Sequence, residues 1–224
     1  MGGNLSETVA YYPMAEEREM NSLDAQALGG SVQGALDNDA LLVERFRAGD
    51  IGAFETLFRR YQRPIYNFIA RMVPPEDALD VTQEAFYLAM RGIATFHPGR
   101  RFSTWLFAIA KNRCFDFMRR RKRVRIEEYD EVERPQPDNQ TPDPAGSAAR
   151  DELARAVNRT LMELSPDDRM VLVLRDYQQL SHEEICEIMG LSIPSVKSRI
   201  HRARKRFKER FKRHSHLLEG VQEP

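Results

Sequence analysis

Apolar residues recur at helical spacing through most of this chain. Phe54, Leu57, Phe58 and Tyr61 stand at i, i+3, i+4 and i+7, one face of a helix, after a Gly49-Asp50 start signal. Ile65, Phe68, Ile69 and Met72 carry the stripe past Pro64, a site for a kink, and "VPP" at 73–75 stops it. Ala78, Val81, Thr82, Ala85, Phe86 and Ala89 form the next amphipathic face. "ATFHPGRRFS" reads as a loop around Pro98-Gly99. Ser103 then stands where it can cap a long helix, "TWLFAIAKNRCFDFMRRRKR". No run alternates with the period of two that marks a strand.

The pattern breaks twice. Residues 1–36 are rich in Gly, Ser, Asn and Glu and weakly patterned, which predicts a disordered arm. The stretch "EEYDEVERPQPDNQTPDPAGSAA" has prolines at 135, 137, 142 and 144 and almost no large apolar residue, so 126–148 reads as a linker. Beyond it the helical period returns. Leu153, Val157, Leu161 and Leu164 make one stripe. Ser165, Pro166 and two acids open a second helix. Ser181 and Glu184 have the spacing of a capping box, and Gly190 suits the left-handed residue that ends a helix. Pro194 sits in the first turn of the next helix, which is basic. Two short helices joined by a Gly-containing turn form the helix-turn-helix pattern. The expected architecture is all-α: an arm (1–36), a helical domain (37–125), a linker (126–148), a second helical domain (149–213) and a tail (214–224).

In the last helix Val196, Ile200, Ala203 and Phe207 fall within roughly 60° of one another at 100° per residue, a narrow stripe that must pack on the preceding helices. Ser198, His201, Arg202 and Lys205 lie opposite, flanked by Lys197, Arg199, Arg204 and Arg206. Such a helix docks by one side and offers hydrogen-bond donors to guanine edges and phosphates on the other. A membrane-surface helix has a wider apolar face with Trp or Leu, and a merely solvated face needs no capped partner helix before it.

Charge sharpens this picture. The chain has 34 basic and 34 acidic residues and zero formal net charge, but the signs are segregated: −4 over 1–36, +7 over 37–125, −6 over 126–148 and +3 over 149–224. Two basic blocks separated by an acidic one point to polyanion binding. No apolar run approaches the ~18 residues that span a bilayer, and the N-terminus lacks the basic and apolar regions of a signal peptide. Two cysteines, Cys114 and Cys186, make no disulfide framework, which fits a reducing cytoplasm. "HEEIC" at 182–186 lacks the second histidine of a zinc-protease motif, and no phosphate loop or nucleophile-base pairing occurs. The expectation is a non-enzymatic protein without metal or cofactor.

At this point the residues resemble a known family. "LSHEEICEIMGLSIPSVKSRIHRARKRF" resembles region 4 of the sigma-70 family, in particular its extracytoplasmic-function (ECF) subfamily. "GDIGAFETLFRRYQRPIYNFIARM", "DALDVTQEAFYLAMRG" and "FHPGRRFSTWLFAIAKNRCFDFMRRRKR" resemble regions 2.1, 2.2 and 2.3–2.4, in that order. The resemblance spans about 40–213 and implies core RNA polymerase (β′ clamp helices and β flap) and promoter DNA as partners, with an anti-sigma factor as a candidate regulator and no membrane insertion.

It also implies roles for residues at matching positions. Asp80, Gln83, Glu84 and Phe86 would dock on the clamp helices. His97, Arg100, Arg101, Phe102, Trp105, Lys111, Asn112, Arg113, Arg119 and Arg120 would melt and capture the −10 element, because a single strand is held by aromatic platforms in a cationic groove. Trp105 shares a helical face with Ile109, so a core role stays open for it and for Phe107; the loop from His97 to Phe102 and Asn112 are the stronger candidates. Lys197, Ser198, His201 and Arg202 would read −35 bases, with Ser195, Arg199, Arg204, Lys205 and Arg206 on phosphates. Pro194-Ser195 stands where the family commonly has a Gly-Thr pair. The alternative is a two-domain helix-turn-helix regulator that binds duplex DNA without polymerase.

Overall fold

The computed structural model describes residues 32–127 and 148–215. Most of the expected arm and linker, and residues 216–224 of the expected tail, lie outside the described residues. Within them the chain forms eight α-helices and no strand: α1 Val32–Arg47, α2 Ile51–Ile69, α3 Pro75–Gly92, α4 Phe102–Glu127, α5 Ala148–Met162, α6 Pro166–Leu172, α7 His182–Met189 and α8 Ile193–Ser215. The first helix begins at Val32, inside the segment expected to be an arm.

Local chemistry sets the helix ends. Gly49 takes φ 98° between α1 and α2, a left-handed turn that glycine makes without a Cβ clash. Pro75 is the first residue of α3, where its missing N–H costs nothing, and Glu76 and Asp77 meet the positive end of the helix. Ser165 accepts from the Asp168 amide at 3.2 Å and so caps α6. Ser181 and Glu184 form the reciprocal capping box of α7, and Gly190 closes it at φ 66°. Two local expectations change. Pro64 lies inside one unbroken helix, and α4 starts at Phe102, so Ser103 is an internal residue rather than the cap. A five-residue π turn, Val173–Tyr177, ends α6.

The packing faces follow the sequence stripes. Ala78, Val81, Thr82, Ala85, Phe86 and Ala89 are all buried on α3, and Leu57, Ile65, Phe68 and Ile69 on α2. On α5 the buried side is Ala156, Thr160 and Leu161, while Leu153, at the outer end of the expected stripe, stands in solvent.

The two helical blocks are packed on each other, and their buried apolar residues make one continuous core. Arg169 of α6 is buried and donates to the Met72 carbonyl at the end of α2 and to the Met162 and Leu164 carbonyls of its own block. The Arg71 guanidinium lies 4.3 Å from the centre of the Tyr177 ring. Helix α7 lies along α4, which sets the geometry of the candidate site.

Candidate nucleic-acid interface

Helix α8 is held to its domain by Val196, Ile200 and Ala203, all buried, with Phe207 half-buried and stacked on Phe211 at 5.7 Å. The capped α7 and the Gly190 turn aim it. Lys197, Ser198, His201, Arg202 and Lys205 face solvent, and Arg202 donates to the Ser198 hydroxyl. Arg204 and Arg206 are exposed too, and Arg199 is half-buried. Ser195 is also exposed, its hydroxyl 2.8 Å from that of Ser192.

Three guanidiniums expected on phosphate are paired here with acids of their own domain. Arg199 pairs with Asp167 at 3.0 Å, Arg204 with Asp176, and Arg206 with Asp168, whose side chain is only 6% exposed. Neutralising Asp168 is part of what fastens α8 to α6. These pairs tie α8 to its domain, while the Arg204 and Arg206 side chains remain 55% and 51% exposed beside Lys197, Arg202 and Lys205. A helical wheel shows which side a residue takes but not which acid a neighbouring helix presents.

The first block offers a second basic surface. Its loop, 97–101, runs between two buried aromatic anchors, Phe96 and Phe102. Phe96, Phe102 and Trp105 form a ring cluster with centroids 5.5–5.6 Å apart. Phe102 is only 2% exposed and Phe107 3%, so neither presents a face to a base; the expectation for Phe102 is corrected. Trp105 is half-buried, and His97 and Arg100 are exposed. Along α4, Lys111, Asn112 and Arg119 line a groove of 530 Å³ whose other wall includes Asp167 and Met189 of the second block. Asn112 is exposed within it.

The cations of this groove meet acids and carbonyls. Arg101 donates to Glu184 at 2.9 Å, Arg100 pairs with Glu187 at 3.4 Å, and the Lys111 ammonium donates to the Ile188 carbonyl at 2.9 Å. Burial holds Lys111 below the ordinary lysine range, opposed by the nearby Asp167. Arg113 pairs with Glu84 and Asp116, Arg119 with Asp116, and Arg120 with Glu84. An acidic face of α7 and its carbonyl-bearing end thus lie against cations expected to take the −10 strand.

On α3, Asp80, Gln83 and Glu84 are exposed on one face, as their i, i+3, i+4 spacing requires. Phe86 is not: it is 1% exposed and packed edge-on against Phe58 at 4.7 Å, so its expected docking role is corrected. The apolar residues that α3 does expose are Leu79, Tyr87 and Leu88. The signal for this was present, because Phe86 belongs to the buried stripe. No helix among the described residues is long and apolar enough to cross a membrane, and no group of three metal-ligating side chains comes together there.

Comparison with known proteins agrees with this geometry. Residues 57–124 match the family described as sigma-70 region 2, and residues 154–207 match sigma-70, region 4. The ECF RNA polymerase sigma-E factor of Escherichia coli K12 is 36% identical over 172 residues, 74% of this chain and 90% of its own length. The RNA polymerase sigma-H factor of Pseudomonas aeruginosa is 35% identical over 175 residues, 75% and 91%. CnrH, solved in complex with the cytosolic domain of CnrY, superposes with a TM-score of 0.58 at 29% identity over 82% of this chain and 98% of that one. RpoE of Bartonella quintana, solved with the anti-sigma factor NepR, shares the fold with a TM-score of 0.61 at 23% identity over 72% and 98%. With both regions in order around the two basic surfaces, the chain belongs to the extracytoplasmic-function branch of the sigma-70 family of RNA polymerase sigma factors.

Proposed function

We propose that this protein binds bacterial core RNA polymerase in the cytoplasm and directs promoter-specific initiation. Region 2, residues 37–125, docks through the exposed α3 face (Asp80, Gln83, Glu84) and melts and captures the −10 element with the 97–101 loop, Lys111 and Asn112. Region 4, residues 149–213, reads the −35 element with Lys197, Ser198, His201 and Arg202. The observation that carries this reading is the outward face of α8: a capped helix-turn-helix leaves a hydroxyl, an imidazole and two cations free to enter a major groove. The protein has no catalytic task of its own; polymerase supplies the chemistry.

The closed packing of the two regions gives this function a conformational step. The −10 and −35 elements are about 25 base pairs apart, roughly 85 Å of B-DNA at ~3.4 Å per pair. In the structure Lys111 of one reader touches Ile188 of the other domain. The regions therefore part before both elements can be read, and parting uncovers Arg100, Arg101 and Lys111 for the strand. CnrH is solved with a protein partner, which supports a protein regulator, of the anti-sigma kind, that acts on this equilibrium.

Reconstitution with core polymerase tests the reading. Run-off transcription from fragmented genomic DNA should yield defined start sites that depend on this chain, with the duplex opened near each. Tight sequence-specific binding by the isolated chain, with no effect on polymerase, would instead support a free-standing regulator.

A further inference from the structure

Helix α1 lies upstream of the stretch matched to region 2, yet two of its side chains secure both ends of the loop that takes the −10 strand. Arg47 reaches across 46 to 49 residues of sequence. Its Nη2 donates to the carbonyls of Ile93 at 2.8 Å, Ala94 at 3.2 Å and Phe96, while Nη1 is braced by Glu44 at 2.7 Å. These carbonyls belong to the 3₁₀ turn that follows α3 and to the first anchor of the loop, at the negative end of a helix where intrahelical donors run out.

The other end is held through an aromatic relay. Asp39 of α1 is 4% exposed and accepts from Arg60 and from the Tyr61 hydroxyl. The Tyr61 ring packs on Phe102, the second anchor, at 5.5 Å.

Between the anchors the loop has little support of its own. His97, Pro98, Gly99 and Arg100 are exposed, Gly99 has open space where a Cβ would stand, and a single backbone bond, from the Arg100 amide to the His97 carbonyl at 3.0 Å, closes the turn. Ordering such a loop only when a base arrives would subtract its conformational entropy from binding. The base must itself be taken out of its stack at a further cost.

We propose that α1 is a bracket for strand capture: Arg47 and Asp39 are positioning residues that hold the 97–101 loop in the shape that receives unstacked −10 bases. The inference rests on the sigma-factor reading and adds a task for the segment ahead of matched region 2.

The test uses holoenzyme assembled from core polymerase and full-length chain on a promoter selected with the unaltered protein, carrying 2-aminopurine in the non-template strand of its −10 element. R47A should keep core binding and closed-complex formation within about twofold while the base-unstacking signal falls roughly tenfold, the scale set by losing hydrogen bonds to a charged donor. R47K, whose ammonium still reaches a carbonyl, should recover part of the signal, and D39N should show the same selective loss. Normal unstacking in R47A or D39N overturns the proposal. So does a loss of core binding in step with unstacking, which would make α1 a fold element only. If R47A does not fold, D39N decides by the same criterion. Failure of the unaltered holoenzyme to open any promoter would refute the sigma-factor reading instead.

Discussion

Glu184 and Arg101 join the two regions through a carboxylate that already has another duty. One Glu184 oxygen accepts from the Ser181 amide at 2.8 Å and completes the cap of α7; the other accepts from Arg101 at 2.9 Å. The residue that starts the helix-turn-helix therefore also holds a cation of the first block, and Glu187 beside it pairs with a second, Arg100. The cap fixes where this charge sits, so α7 presents a carboxylate to cations that the proposed function assigns to the −10 strand.

Removing that charge should loosen the packing of the two regions. E184Q keeps an acceptor for the Ser181 amide while losing its charge, and E187Q removes the outer pair. Partly exposed ion pairs contribute ~0.2–1 kcal/mol each, so the double variant should move the closed-to-open ratio about two- to thirtyfold. Small-angle scattering and inter-domain energy transfer measure this. An unchanged distance distribution at low and high salt would show that the charges do not hold the regions together.

The cations of α8 should divide by partner. Arg202→Ala should relax preference at one −35 position by ~1–3 kcal/mol, whereas Lys205→Ala should weaken all sequences alike and lower the salt slope by about one. Arg206→Ala should behave differently from both: it strands the nearly buried Asp168 and should cost region 4 about 1–3 kcal/mol of stability, read by denaturant unfolding. Equal effects of all three on DNA affinity, with unchanged stability, would contradict the assignment.

On α3, neighbouring aromatic residues should fail in opposite ways. Phe86→Ala removes a fully buried ring and should destabilise region 2 by ~3–5 kcal/mol. Tyr87→Glu changes an exposed ring and should reduce core polymerase binding with the melting temperature unchanged. A titration of core with labelled chain, set beside calorimetry, separates the two.

Cys114 gives a pH signature. It is fully buried, and burial pushes its thiol up to about 12, with Arg169 and Arg113 opposing. Because the folded pKa is raised, its contribution to stability is fully present below the ordinary thiol range near ~8.5 and is lost as pH rises through about 12. In that window the unfolded chain ionises first. The stability difference between the unaltered chain and C114A should therefore shrink by ~1.4 kcal/mol per pH unit above about pH 9. Iodoacetamide at pH 8 should leave Cys114 unmodified until the chain is denatured.

The features legible in the sequence are those whose chemistry is local or periodic. Ser181, Glu184 and Gly190 announce α7 because caps and left-handed closures act over three or four residues. The α3 stripe and Val196, Ile200 and Ala203 appear because one buried face repeats every 3.6 residues. Pairings made by tertiary folding were not legible. Arg199 with Asp167 and Arg169 with the Met72 carbonyl are single choices among 34 basic residues and many acceptors. Phe102 misled for a related reason: an aromatic residue at the edge of a basic loop has the composition of a stacking platform whether it faces out or in. Helix α1 was missed in part because its first turns, "VQGALDND", lack a strong apolar stripe, and Arg47 reveals its task only once α3 ends beside it.

Arg169 stands at the join of the two regions. Its bonds to the Met162 and Leu164 carbonyls stay within region 4, and only the bond to the Met72 carbonyl crosses to region 2. Burial draws this guanidinium down to about 10, with Cys114 opposing. The join is a shared apolar core crossed by this guanidinium, so a partner that parts the regions must also cover the apolar surface it lays bare.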